Sequence, residues 1–336
     1  MPSFQTLNAG ISGALTSSGR GTRHLCDVSA QAATKAVVRS VAVGCLVFAG
    51  IQPSLAAAAT GDLKIEQPAL GSTIELQTSA RFAGAVTSLV FRGKQFVDSR
   101  DHGRELQSAA SFDSLGECFN PTEAGSVADG DKQTTTSKLL GVKSGPNWIA
   151  TQTDMAFWLP PGYDYKRQCG MSPTATHAMN NTPTGGHILD KRIELGAEGQ
   201  PNVIADHVTF TVPEAHGYGV FEAATLYTPK DFSKRYVLNL GDGKVEPATV
   251  VGEQGSPVIL ATADGKNAAG LYSPFLPQAG RGYGTFTFPD TNKINCVFRE
   301  KPIAAGQKFN YVCDLVVGSL DEVKATILKL HSSAAH

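Results

Sequence analysis

Thr73-Ile-Glu-Leu-Gln-Thr78 alternates apolar and polar side chains with period two, the pattern of a strand with one buried face. The next segment, Ala85-Val-Thr-Ser-Leu-Val-Phe-Arg92, does likewise and turns at Gly93-Lys94. From Leu63 onward this unit recurs. Further strands are expected at Trp148–Thr153, Met155–Leu159, Ile188–Leu195, Val203–Val212, Gly219–Leu226, Tyr236–Leu240, Val258–Ala263, Ala268–Tyr272 and Gly284–Phe288. Asp-Gly, Gly-Lys and Pro-Gly pairs punctuate them, which reads as an all-β sandwich or barrel. One helix is expected, at the C-terminus. Ser319-Leu-Asp-Glu322 has the form of a capping box, and Leu320, Val323, Ile327, Leu328 and Leu330 fall mainly on one face, suited to cover a sheet face or edge.

One stretch breaks the pattern. Asp101-His-Gly-Arg-Glu-Leu-Gln-Ser-Ala109 and Gly116-Glu-Cys-Phe-Asn-Pro-Thr-Glu-Ala-Gly125 crowd His102, Arg104, Glu105, Gln107, Glu117, Asn120 and Glu123 together, in a chain that is only 18% charged. A strand polar on both faces forgoes apolar burial at roughly 25 cal/mol per Å². It therefore lines a site, pairs its charges internally or lies at an edge. Alternation from Asp101 would set His102 and Arg104 on one face and Glu105 and Gln107 on the other. If the second face is buried, an internal network with a lysine or arginine is the alternative to a site.

The ends and cysteines point to export. Lys35 and Arg39 precede the apolar run Val41–Ile51, which leads into Gln52-Pro-Ser-Leu-Ala-Ala-Ala-Ala59. Positive flank, short apolar core and small-residue exit are the parts of a secretory signal peptide. Residues 1–58 are thus expected to be leader and signal peptide, and 59–336 one domain, secreted or periplasmic after cleavage. No apolar run is long enough for stable membrane insertion. A net charge of −1 gives no basic footprint, so nucleic acid is not an expected partner. Four cysteines follow the leader, an even count that suggests two disulfides. If the strands around Cys296 and Cys313 form a hairpin centred between Ala304 and Ala305, these two fall opposite one another. Cys118–Cys169 then follows by elimination, tying the polar stretch to the loop after Trp158. Neither Cys-x-x-Cys nor His-x-x-x-His occurs, so no metal is expected, and nothing calls for a cofactor.

The loop from Pro160 to Gly186 has no apolar period and carries Tyr163, Tyr165, Arg167, Cys169 and His177. Structureless loops of this length in compact domains are usually lids, binding loops or disordered spans. Arg104 can fork onto a carboxylate or sugar hydroxyls, and His102 can move a proton near neutral pH. Glu117 and Glu123, with Glu105, offer the paired carboxylates that glycoside hydrolysis needs. Gln107, Asn120, Tyr163, Tyr165 and His177 are candidate sugar contacts. Asn120 could equally hold its Asn-Pro turn, and a salt-bridged turn is the plainer reading of the two glutamates.

Phe82-Ala-Gly-Ala-Val-Thr-Ser-Leu-Val-Phe-Arg-Gly-Lys94 resembles the opening hairpin of galactose-mutarotase-like domains. The Asp-His-Gly-Arg-Glu-Leu-Gln and Asn-Pro-Thr-Glu-Ala-Gly blocks resemble a set of secreted bacterial and fungal proteins of the same architecture. The resemblance implies a two-sheet antiparallel β-supersandwich with a carbohydrate cleft on a concave sheet face. Mutarotases use a histidine and a glutamate within motifs not found here, so no catalytic residue carries over. Three functions follow as expectations for an extracellular oligo- or polysaccharide partner. Hydrolysis by Glu117 with Glu123 or Glu105 leads. A lyase on an acidic glycan, with Arg104 neutralising a uronate and His102, His177 or Tyr163 moving the proton, is second. Glycan binding without turnover is third.

Overall fold

In the computed structural model, residues 60–249 and 251–334 are described; the expected leader, signal peptide and cleavage region lie outside them. The strands, in chain order, are β1 (Lys64–Ala69), β2 (Ser72–Thr78), β3 (Val86–Phe91), β4 (Lys94–Gln95), β5 (Leu106–Phe112), β6 (Pro121–Thr122), β7 (Lys138–Ser144), β8 (Trp148–Phe157), β9 (Thr184–Leu195) and β10 (Val203–Val212). They continue with β11 (Gly219–Pro229), β12 (Lys234–Leu238), β13 (Val245–Pro247), β14 (Gly252–Gln254), β15 (Val258–Ala261), β16 (Ala268–Tyr272), β17 (Tyr283–Thr287), β18 (Thr291–Glu300) and β19 (Gln307–Gly318). The helix α1 (Leu320–Ala334) closes the chain.

Two antiparallel ladders account for these strands. One runs β7-β8-β9-β10-β19-β16-β15-β12-β13. The other runs β1-β2-β3-β5-β11-β18-β17-β14, with β4 against β3. Tiny β6 pairs with β5 on one side and β8 on the other, joining the two. Their inner faces share one core, in which Ile74, Leu89, Phe112, Phe221 and Phe298 of one ladder meet Ile149, Leu189, Ile204, Phe210 and Leu315 of the other. The chain is therefore an all-β antiparallel sandwich with one C-terminal helix.

That helix starts as its sequence specifies. Ser319 Oγ accepts from Glu322 N at 3.3 Å, and Glu322 Oε2 accepts from Ser319 N at 2.7 Å, the reciprocal pair of a capping box. Its apolar stripe (Val323, Ile327 and Leu330) packs with Ile259, Ala268 and Val316 in a second core on the outer face of the first ladder. The helix thereby covers part of that face and leaves the part formed by β8, β9, β10 and the first half of β19.

Apart from the fusion of the expected strands Trp148–Thr153 and Met155–Leu159 into one, β8, two expected details change. Cys296 and Cys313 are bonded, but β18 and β19 do not make a hairpin. β18 lies between β11 and β17, and β19 between β10 and β16. The connection crosses from one sheet to the other, and the disulfide is a staple through the core rather than a cross-strand pair. The other change is at Asp101–Glu105, which forms turns and bends; the strand begins only at Leu106. Gly103 and Gly125 are points of close packing around this stretch. A Cβ on Gly103 would lie 2.7 Å from the Trp158 ring, and one on Gly125 (φ +140°) 2.6 Å from both Asp129 Oδ2 and Thr135 Oγ1.

Candidate functional site

The polar stretch splits between surface and interior. Arg104 lies among acids at the surface, with Nε 3.0 Å from Asp101 Oδ2 and Nη1 2.9 Å from Asp290 Oδ1. His102 is buried with Nδ1 2.7 Å from Gly130 O and Nε2 3.0 Å from Arg81 O. Asn120 donates to Ala110 O, across its own turn. Glu105, Gln107 and Glu123 are buried. Gln107 Nε2 donates to Glu105 Oε2 at 3.3 Å, and its Oε1 accepts from Ala124 N at 3.2 Å. Glu123 Oε2 accepts from Ser108 N at 2.8 Å and from Lys191 Nζ at 2.9 Å. Lys191, on the facing ladder, also lies 3.5 Å from Asp206 Oδ2 and 3.4 Å from Leu106 O. These side chains brace one sheet to the other.

The brace has more acid than base. Burial pushes Glu105 well above the usual carboxylate range. Burial also raises Asp206 to about 7, against the pull of Lys191. Around Lys191 the Asp206 and Glu123 carboxylates outweigh the opposing effect of burial and hold the ammonium raised.

Glu117 stands apart from these carboxylates. Its side chain is 47% exposed and lies 3.6 Å from Arg167, whose guanidinium stacks on Tyr165. The Cys118–Cys169 disulfide joins that turn to the long loop, as expected. The loop carries order of its own: Tyr165 N donates to Thr176 O, Ala178 N to Tyr163 O and Met179 N to Cys118 O, at 2.8–2.9 Å. Tyr163 and His177 are exposed, with His177 Nε2 3.8 Å from Asp164 Oδ1. Of the other histidines, His187 is buried and neutral, its pKa lowered to about 3 by burial and by His216.

The groups that sequence reasoning missed lie on the uncovered outer face of the first ladder. Strand alternation turns them outward in cross-strand rows. Gln152, Asp190, Thr209 and Asn310 form one row, and Ala150, Arg192, His207 and Val312 the next. The third is Trp148, Glu194, Ala205, Asp314 and Tyr272. Within them Gln152 Nε2 donates to Asp190 Oδ1 at 2.7 Å and Thr209 Oγ1 to Asn310 Oδ1 at 2.6 Å. Arg192 donates to Glu194 at 2.8 Å and lies 4.1 Å above the Trp148 ring. A depression of about 380 Å³ follows the first two rows. A second, of about 240 Å³, runs from His207 to Asp314, Tyr272 and Phe275. His207 and Val312 belong to both. Phe275 is 65% exposed at the far end. Asp314 is buried at the floor, and burial, with Glu198 and Asp206 nearby, raises its carboxyl to about 7.

No signal in a short window marks this face. Each row takes one member from each of four or five strands, and these become neighbours only through the register. His207 was visible in the sequence, within its strand, and reads there as structural; the structure exposes it.

No protein-family pattern and no curated protein matches the chain. Among solved structures it is similar to a galactose mutarotase-like protein from Lactobacillus casei ATCC 334, with a TM-score of 0.44, 8% identity and coverage of 76% of this chain and 99% of that one. It is also similar to a galactose mutarotase related enzyme from Lactobacillus acidophilus, with a TM-score of 0.40, 10% identity and coverage of 77% and 98%. An alpha-mannosidase from Enterococcus faecalis V583 gives a TM-score of 0.48 at 12% identity, over 84% of this chain and 32% of that one.

Proposed function

We propose that the chain is an exported carbohydrate-binding protein whose glycan lies across the outer face of β8, β9, β10 and β19. One observation carries this reading: two depressions meet at His207, lined by polar side chains and ended by an exposed aromatic ring. A sugar presents hydroxyls around its rim and C–H groups on its faces. Asp190, Asn310, Gln152 and His207 suit the hydroxyls, and Phe275 suits a ring face. The volumes fall near the lower end of ligand pockets, roughly 300 Å³ and up. Two disulfides accord with an oxidising compartment. Among the described residues no helix is long and apolar enough to cross a membrane.

Hydrolysis is the second reading, and Asp314 favours it. A carboxyl still protonated near neutral pH is what a general acid must be. Glu194 occupies the same row on the other side of Ala205. That places the two backbones roughly 10 Å apart at the usual strand spacing, near the separation at which inverting glycosidases hold their carboxyls. The test is electrophoresis of the full chain through gels containing neutral or acidic polysaccharides, with mass spectrometry of any products. Retardation by one glycan, lost in His207→Ala and Phe275→Ala but kept in Glu117→Gln, is the expected result. Products gaining water, abolished by Asp314→Asn, would add hydrolysis. Retardation lost only in Glu117→Gln would move the site to the disulfide-tied loop and refute the outer face.

A further inference from the structure

His187, Glu214 and His216 converge at one end of the sandwich, in a place the glycan reading does not use. His187 is the fourth residue of β9 and points inward; Glu214 and His216 lie two apart on the extended segment between β10 and β11. That segment is pinned by the backbone pair of His216 with Ile303. His187 Nε2 is 3.7 Å and His216 Nε2 3.5 Å from the same oxygen, Glu214 Oε1. The three ligand atoms all lie within 4.8 Å of one another.

The hydrogen bonding of this cluster is incomplete toward Glu214. His216 Nδ1 is 2.8 Å from Asp113 Oδ2, while the other Asp113 oxygen accepts from Gly217 N at 2.9 Å. A carboxylate on Nδ1 makes that nitrogen a donor, and in the neutral ring Nε2 then carries the lone pair, on the side of Glu214. His216 Nε2 and both ring nitrogens of His187 have no hydrogen-bond partner, although both side chains are more than nine-tenths buried. Buried polar atoms without a partner are rare and costly. Here the two Nε2 atoms are aimed at one shared carboxylate oxygen. Ligands about 2.0–2.2 Å from a tetrahedral ion sit about 3.3–3.6 Å from one another, close to the two separations from Glu214 Oε1.

The surroundings hold the rings in place. Phe112 stacks on His216 at 4.3 Å between centroids and contacts His187 at 5.2 Å; Phe157 closes on His187 at 5.4 Å. A Cβ on Gly185 would come 3.1 Å from His187 Nδ1 and 2.9 Å from Phe157, so glycine there makes room for both rings. Glu214 is 43% exposed, which gives an ion a route in and leaves a coordination position facing water.

We infer that His187, Glu214 and His216 are the three protein ligands of a divalent transition-metal site of the zinc class, with Asp113 as the positioning residue behind His216. Two imidazoles and one carboxylate suit a borderline ion better than the all-oxygen sets of calcium or magnesium. Three protein ligands with a fourth position open is the arrangement of a metal that meets a small ligand, whereas purely structural zinc is closed by four. Local spacing gives only the Glu-x-His pair of Glu214 and His216; His187 joins them from β9 through the fold.

The test uses the full chain without an affinity tag, stripped by chelator and titrated with zinc in calorimetry, then with cobalt in visible absorption. One zinc per chain at submicromolar Kd, a raised melting temperature and cobalt d–d bands are the expected results. Glu214→Gln, on the exposed ligand, keeps the fold as judged by its metal-free melting temperature and weakens zinc at least tenfold. Asp113→Asn weakens it about 10- to 100-fold while stoichiometry stays at one. Absence of zinc binding by the stripped wild-type chain would overturn the site. So would zinc binding of wild-type strength in both Glu214→Gln and His187→Gln.

Discussion

At the scale of single residues, a small group of buried charges joins the two sheets. Lys191 carries the brace, because it is the cation that faces Glu123 and Asp206 in the interior. Removing one partner of a buried ion pair leaves the other uncompensated, at about 3–5 kcal/mol. Lys191→Met is therefore expected to lower the free energy of urea unfolding by about that amount; a change under about 1 kcal/mol would contradict the brace. The pH dependence has a definite sign. Asp206, raised by burial from 3.8 to about 7, binds its proton more tightly folded than unfolded. The stability it contributes is full below pH 3.8 and is lost as pH rises through about 7. Melting temperature should fall between pH 5 and pH 8, and more shallowly in Asp206→Asn, which should melt above wild type at pH 8. An equal or steeper fall in that variant would place the titration elsewhere.

At the scale of elements, the two disulfides have different tasks. Cys296–Cys313 links β18 to β19 through the core, whereas Cys118–Cys169 pins the loop after Trp158. Replacing the first pair by alanine should cost about 2–5 kcal/mol and lower the global melting temperature. Replacing the second, which closes a loop of 51 residues, should cost at least as much and should in addition expose 160–183 to protease. Indistinguishable digestion of the two variants would contradict this division. The helix should lose about 1 kcal/mol with Ser319→Ala, read from the same melts. Elements with strong periodic cues were legible. Val203–Val212 and Ala268–Tyr272 appear with the expected bounds, and the Ser319 capping box forms. β7 was not legible: its Lys-Leu-Leu-Gly-Val-Lys-Ser is an exposed strand beside β8 alone, with no buried face to impose alternation. The cysteine strands were read correctly as strands and wrongly as partners, because nothing local distinguishes a hairpin from a crossing between sheets.

At the scale of the whole molecule, sequence gave the class of fold more readily than the place of recognition. Polar residues clustered in sequence drew attention to Asp101–Gly125, where Glu105, Gln107 and Glu123 turn inward and Glu117 outward. The outer face escaped notice because Gln152, Asp190, His207, Asn310 and Asp314 are each ordinary alternating positions until the register sets them side by side. The same holds for His187, Glu214 and His216. Chemistry assembled across strands and connecting segments is legible only after pairing is known.

The central claim is that glycan lies on this outer face, and amide hydrogen exchange of the full chain with and without the glycan that retards it tests this most directly. The account predicts protection at 190–194, 207–209, 272–275 and 310–314, with 160–183 unchanged. Protection confined to 160–183 and the turn at Glu117, or no glycan retained by the chain at all, would contradict it.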